Sequence, residues 1–209
     1  MICILGGTFD PVHFGHLRPA LEVQQALGVP RVDLLPCRLP PHREPPVLGP
    51  EQRLELLRLA VEDDQALGID ERELQRDGPS YMVDTLKSLR ADCGDQPLCL
   101  ALGMDAFLHL QGWHNWQELL SLCHLVVMLR PGSEWPADGA LAAIVERCGV
   151  NAAGALQRRP AGLVLGVAVT RLSISSTEIR TLLAEGKSAR YLLPEKVLTR
   201  IEQEKWYAD

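Results

Sequence analysis

Apolar runs of strand length alternate with segments of helical period along the whole chain. Residues 1–5, 31–36, 97–103, 123–129 and 162–169 read as strands, and residues 16–27, 50–61, 80–90, 137–148 and 194–206 as helices. A helix between two strands returns the chain in the same direction. The pattern therefore predicts an α/β, Rossmann-like fold: a mainly parallel twisted sheet with helices on both faces. Leu17, Ala20 and Leu21 share one helical stripe, Leu54, Leu57 and Val61 another, and Met82, Leu86 and Leu89 a third. Pro50 and Pro194 suit helix starts. A weaker strand is expected at 68–74. With no repeat, low-complexity tract or charge block to mark a linker, the 209 residues are expected to form a single domain, 1–209.

Composition narrows the class of partner. The formal charge of -6 disfavours non-specific binding to nucleic acid or an anionic membrane, so an anionic ligand needs a local cationic patch. No apolar run approaches the ~20 residues of a membrane helix. The six cysteines form no C-x-x-C pair and have no zinc-site spacing, so they read as reduced and structural, as expected of a cytoplasmic protein. The stretch from Pro36 to Pro50 holds six prolines. It can be neither helix nor interior strand, and a loop of that length is expected to bind something or to close over it.

The first strand runs into Gly6-Gly7-Thr8-Phe9-Asp10-Pro11-Val12-His13-Phe14-Gly15-His16, after which a helix begins. Two glycines at a strand end let a ligand approach the main chain. The helix start offers unpaired N–H groups to an anion, and His13 and His16, three apart, share a face of its first turn. The spacing is neither Walker A nor G-x-G-x-x-G, and no third ligand supports zinc. Far along the chain, Ser175-x-x-Glu178 is a capping-box pattern. Its helix start, with Arg180 one turn in, is either a plain capped helix or a second anion site.

Residues 7–16 resemble the T/G-x-F-D-x-x-H-x-G-H signature of a nucleotidyltransferase family whose H-x-G-H box is related to that of class I aminoacyl-tRNA synthetases. Ile174-Ser175-Ser176-Thr177-Glu178-Ile179-Arg180 matches that family's second box, I-S-S-T-x-I-R. Other segments are similar to the bacterial nicotinate-nucleotide adenylyltransferases: Pro36-x-x-x-Pro40-Pro41-His42-Arg43 with Arg53 on the following helix, and Ser80-Tyr81-Met82-Val83-Asp84-Thr85-Leu86. Gly103-Met104-Asp105, Trp113-His114, Trp116, Leu129-Arg130-Pro131-Gly132 and Tyr191-Leu192-Leu193-Pro194 extend the likeness over essentially the whole chain.

The resemblance implies adenylyl transfer from ATP to nicotinate mononucleotide, giving deamido-NAD (nicotinic acid adenine dinucleotide) and pyrophosphate, in NAD biosynthesis. It implies catalytic roles for His16, Arg180 and His13. ATP would be bound by Gly6, Gly7, Thr8, Phe9, His13, His16, Arg43, Gly103, Asp105, Ile174, Ser175, Ser176, Thr177 and Arg180. The mononucleotide would be bound by Gly7, Thr8, Phe9, His42, Arg43, Met82, Thr85, Trp113, His114 and Arg130, with Trp113 stacked on the pyridine ring and the N–H groups of Met82 and His114 on its carboxylate. Mg²⁺ would arrive with ATP rather than in a protein cage.

The family usually carries Thr where this chain has Met82. A backbone contact tolerates that change, with Ser80 expected to cap the helix, whereas a hydroxyl contact would alter the choice of acid over amide. Duller readings stand beside these: Trp113 as core, Asp105 as a helix-start charge, Arg38 and His42 as solvated loop residues. The rivals are a phosphopantetheine adenylyltransferase, a glycerophosphate cytidylyltransferase, a preference for the amide nucleotide, and a nucleotide-sensing module without turnover. The sequence leaves monomer and homodimer both open.

Overall fold

The apolar run that opens the chain forms the strand Ile2–Gly7 (β1) in a computed structural model that describes residues 1–40 and 45–208. Its side chains alternate: Cys3 and Leu5 enter one hydrophobic cluster and Ile4 the other, so both faces of β1 are covered. The remaining strands are Val32–Pro36 (β2), Leu67–Ile69 (β3), Leu98–Gly103 (β4), His124–Leu129 (β5), Gly149–Val150 (β6) and Val164–Ala168 (β7). They join in one seven-stranded sheet of order β3-β2-β1-β4-β5-β7-β6, and every pairing is parallel.

The helices divide between the faces. Phe14–Leu27 (α1), Pro50–Val61 (α2), Ser176–Ala184 (α7) and Glu195–Glu204 (α8) bury Val23, Leu57, Ile179 and Ile201 in the cluster that holds Cys3 and Leu5. Met82–Cys93 (α3), Met104–Leu108 (α4), Leu119–Leu122 (α5) and Gly139–Cys148 (α6) bury Leu86, Phe107, Leu119 and Ile144 in the other. This is the layered α/β arrangement that the alternation predicts.

Differences from the expected elements have local causes. The strand foreseen at 68–74 stops at Ile69, because the Asp70 carboxylate accepts the Arg72 N–H at 3.0 Å and turns the chain. The first helix starts at Phe14 rather than 16, since the His13 carbonyl accepts the His16 N–H. The third starts at Met82 rather than 80. Sequence periodicity did not foresee α4, α5 or β6, none longer than five residues.

Strand β1 lies between β2 and β4. The chain leaving β1 crosses to β2 on one side, and the chain leaving β4 goes on to β5 on the other, so the sequence order reverses there. At such a switch point the loops beyond the carboxyl ends diverge and open a crevice, the customary ligand position in open parallel sheets. No helix among the described residues is long and apolar enough to cross a membrane, and no disulfide joins any of the six cysteines.

Candidate active site

The crevice is floored by the turn from β1 to α1. Phe9 stands at φ 51 with its ring 1% exposed, and a Cβ on Gly7 would come within 2.7 Å of that ring. The glycine therefore makes room for Phe9 to fold beneath the turn while the backbone stays at the crevice. Gly15 has a similar role. A Cβ there would lie 2.9 Å from the His13 ring and 3.1 Å from the Ile174 carbonyl oxygen. Its absence lets His13 and His16 stack with ring centroids 3.8 Å apart and lets the chain entering α7 pass close by.

His13 is the N-cap of α1 but makes no side-chain cap bond, and among the described residues its Nδ1 is buried without a hydrogen-bond partner. Burial, and secondarily the charge of Arg130, lowers its pKa to about 4, so near neutrality it offers a hydrogen bond rather than a positive charge. The Phe14 N–H, the first donor of α1, is taken by the Leu192 carbonyl at 3.0 Å.

The two distant boxes meet. Ser175 caps α7 by accepting the Glu178 N–H at 3.1 Å, as the capping-box pattern predicts. Ser176 Oγ donates to the Pro11 carbonyl at 3.0 Å. Arg180 Nη1 donates to the Asp10 carbonyl at 2.6 Å and stands 3.8 Å from Asp10 Oδ2, while Nη2 donates to Thr177 Oγ1 at 3.3 Å.

Two buried ionic side chains fix this loop. Asp10, 4% exposed, accepts the Val47 N–H at 2.8 Å, the Leu48 N–H at 3.3 Å and the Tyr207 hydroxyl at 2.6 Å. Arg53, on α2 and 0% exposed, donates to the carbonyls of Thr8, Leu48 and Arg38 at 2.7, 3.2 and 3.2 Å. The Asp10 bonds to Val47 and Leu48 stitch the turn after β1 to the proline-rich loop after β2, and Arg53 ties both of them to α2. Pro41, His42, Arg43 and Glu44 of that loop, including the expected ligands His42 and Arg43, lie outside the described residues.

A second polar cluster underlies the start of α3. Glu73, 2% exposed, accepts the Thr85 hydroxyl at 2.6 Å, and Arg76 donates to the same Thr85 oxygen at 3.1 Å. Burial raises the Glu73 pKa from its ordinary value, opposed by the hydrogen bonds of Thr85 and Ser80. Thr85 is 0% exposed and its hydroxyl is occupied, so the structure places it behind the crevice surface. Ser80 does not cap α3 as expected: the N-cap is Tyr81, and Ser80 Oγ instead accepts the Arg38 N–H at 3.0 Å.

Tyr81 pairs with His114 at a ring-centroid distance of 4.3 Å, and the Met82 methyl comes within 3.0 Å of where a Cβ on Gly6 would stand. The structure thus brings Gly6, Met82 and His114 to one side of the crevice. Trp113 lies just after the short turn Leu110–Gly112 rather than on a helix, half-buried against the apolar cluster. At the ends of β4 and β5, Asp105 is 91% exposed and 3.9 Å from Arg130. Arg38, rather than being only solvated, donates to the Leu74 carbonyl at 3.0 Å.

Residues 4–182 match the family described as cytidylyltransferase-like. The probable nicotinate-nucleotide adenylyltransferase of Halorhodospira halophila is 52% identical over 206 residues, covering 99% of this chain and 94% of the relative. That of Methylococcus capsulatus is 51% identical over 209 residues and the full length of both. The chain belongs to the nicotinate-nucleotide adenylyltransferase family. The fold agrees: a Plasmodium falciparum nicotinic acid mononucleotide adenylyltransferase, solved in complex with NaAD, superposes with a TM-score of 0.73 at 14% identity, covering 99% of this chain and 96% of that one.

For a nicotinate-nucleotide adenylyltransferase family member, the structure adds residues that motif reading alone passed over. Asp10 lies inside the first box, yet the letters do not show that its carboxylate gathers a loop, a phenol and a guanidinium. Glu73 and Tyr207 lie outside every quoted motif. The one signal available was Arg53, a charged residue on a helical stripe that otherwise faces inward.

Proposed function

We propose that this chain transfers the adenylyl group of ATP to nicotinate mononucleotide, releasing pyrophosphate and forming nicotinic acid adenine dinucleotide, a step of NAD biosynthesis. The observation that carries the reading is the junction of the two boxes: Arg180 and Ser176 of one are bonded to Asp10 and Pro11 of the other. A guanidinium and two stacked imidazoles therefore share one end of the sheet, beside the glycine turn.

The chemistry asks for little more. A phosphate monoester with a second pKa of about 6 is largely a dianion near neutrality, so the nucleophile needs no strong base. What opposes reaction is repulsion between two anionic substrates and the entropy of aligning them. On this reading His16 and Arg180 stabilise charge developing on the α- and β-phosphates. Neutral His13 donates a hydrogen bond, and the backbone from Gly6 to Phe9 admits the attacking phosphate. By the resemblance of their loop motif, Arg43 would hold the polyphosphate and His42 the mononucleotide. Gly103 and Asp105 take the adenosine ribose, Ile174 to Thr177 border the triphosphate, and Arg130 adds positive charge near His13. Trp113 stacks on the pyridine ring, whose carboxylate meets the first-turn N–H groups of α3 at Met82 and the His114 N–H. Mg²⁺ enters as part of the MgATP substrate. The acidic chain supports small-molecule partners rather than nucleic acid, and its thiols suit a cytoplasmic setting.

Steady-state kinetics with nicotinate and nicotinamide mononucleotides side by side tests the substrate. The expected kcat/KM favours the acid by at least about tenfold, because N–H groups paired with a carboxylate are poorly served by an amide. An amide preference would show that Met82 has changed the choice. No pyrophosphate release with either nucleotide would remove the reaction itself.

A further inference from the structure

The segment after α8 takes an unusual path. Lys205 and Tyr207 stand at φ 54 and φ 65, in the left-handed region that side chains with a Cβ seldom adopt. The Trp206 N–H returns to the Ile201 carbonyl, and Trp206 and Tyr207 pack on the core. This path places the Tyr207 hydroxyl 2.6 Å from Asp10 Oδ1, across 197 residues of sequence. Strain of this kind persists where surrounding contacts hold it.

The arrangement around Asp10 gives the contact a consequence. Oδ1 receives the phenol and the Leu48 N–H, and Oδ2 receives the Val47 N–H. Arg180, 3.8 Å from Oδ2, makes its short bond to the Asp10 main-chain carbonyl rather than to the carboxylate. Its guanidinium therefore keeps charge that is not spent on a close ion pair. Remove the phenol proton and the buried carboxylate loses a donor, and Arg180 is the cation placed to replace it.

We infer that Tyr207 is a positioning residue for Arg180, acting through Asp10: its hydroxyl satisfies the carboxylate so that the guanidinium stays directed toward the phosphates. The inference rests on the adenylyl-transfer reading given above.

The test is Tyr207→Phe in the wild-type and Arg180→Ala backgrounds, with kcat and both KM values measured beside a thermal melt. In the wild-type background kcat falls roughly tenfold, with the mononucleotide KM within about twofold, as expected when a charge-assisted contact that aligns a catalytic group is lost. In the Arg180→Ala background the same substitution costs less than about twofold, because two residues acting as a unit are not additive. Equal losses in both backgrounds, or an effect confined to the mononucleotide KM, overturn the inference. If Tyr207→Phe does not fold, Asp10→Asn in the same two backgrounds applies the test from the other end of the bond, with the same outcomes. If the wild type releases no pyrophosphate with any pyridine mononucleotide, the parent reading fails instead. ATP affinity by calorimetry then decides the positioning: a roughly tenfold loss in Tyr207→Phe supports it, and an unchanged affinity removes it.

Discussion

Asp10 and Glu73 are both almost wholly buried, at 4% and 2% exposure, and their surroundings meet the cost of that burial in different ways. Asp10 receives two main-chain N–H groups and a phenol, with a guanidinium close by. Glu73 is met chiefly by the hydroxyls of Thr85 and Ser80, and burial shifts its pKa upward. The first carboxylate organises the elements that bring positive charge to the crevice. The second braces the start of α3, whose main-chain N–H groups the proposed reading assigns to the mononucleotide carboxylate. One cluster is built around charge, the other around hydroxyl hydrogen bonds.

The strongest way to break this comparison is kinetic. Arg180→Ala or His16→Ala should lose roughly two to three orders of magnitude in kcat with the fold intact, the cost of removing one preorganised group from a charge-developing transition state. Glu73→Gln should stay within about threefold. A folded Arg180→Ala enzyme that matched Glu73→Gln in turnover would erase the distinction.

An intermediate effect is expected from His13, which belongs to the charged half yet is held neutral. Its pKa is lowered to about 4 from 6.5, so on acidification the unfolded chain takes up the proton first. The contribution of His13 is thus complete above its unfolded value and is lost as pH falls toward the folded one, amounting to about 2 kcal/mol between about pH 7 and about pH 5. Urea unfolding at both pH values measures it. His13→Asn should flatten the dependence by that amount, and an unchanged slope would mean that His13 is not held neutral in the folded protein.

The smallest effect sharpens the other side. Glu73→Gln keeps an oxygen for the Thr85 hydroxyl, so it should change the unfolding free energy by less than about 1 kcal/mol near neutrality. Because the folded pKa of Glu73 lies above its ordinary 4.5, its favourable contribution is present below that value and is lost as pH rises through the folded one. The Gln variant should therefore gain on the wild type with rising pH. A loss would mean that the Glu73 surroundings favour its charged form after all.

Much of the fold was legible because its signals are local. β1, β2, β4 and β5 fall where continuous apolar runs end in Gly, Pro or Arg, and Ser175 caps its helix as its spacing to Glu178 requires. The glycines of the first box were legible as a close backbone approach, although what approaches Gly15 is the chain's own Ile174 carbonyl and His13 ring. The bonds that hold the site were not legible. Tyr207 meets Asp10 across 197 positions and Arg53 reaches Thr8 across 45, and no periodicity encodes such pairs. Ser80 reads as a cap because it stands beside a helix start, while in the structure a neighbouring loop competes for its oxygen.

The position of Tyr207 in the chain also bears on how the protein is made. A ribosome that has released residues only as far as β5 has delivered every member of the Glu73 cluster, from Arg38 to His114. Asp10, although synthesised before any of them, still lacks both Arg180 and Tyr207. Synthesis at about 5–20 residues per second leaves that carboxylate waiting roughly ten seconds more for the last of its partners. The Glu73 cluster can thus mature first, and the cluster around Asp10 is completed only once the segment after α8 has emerged.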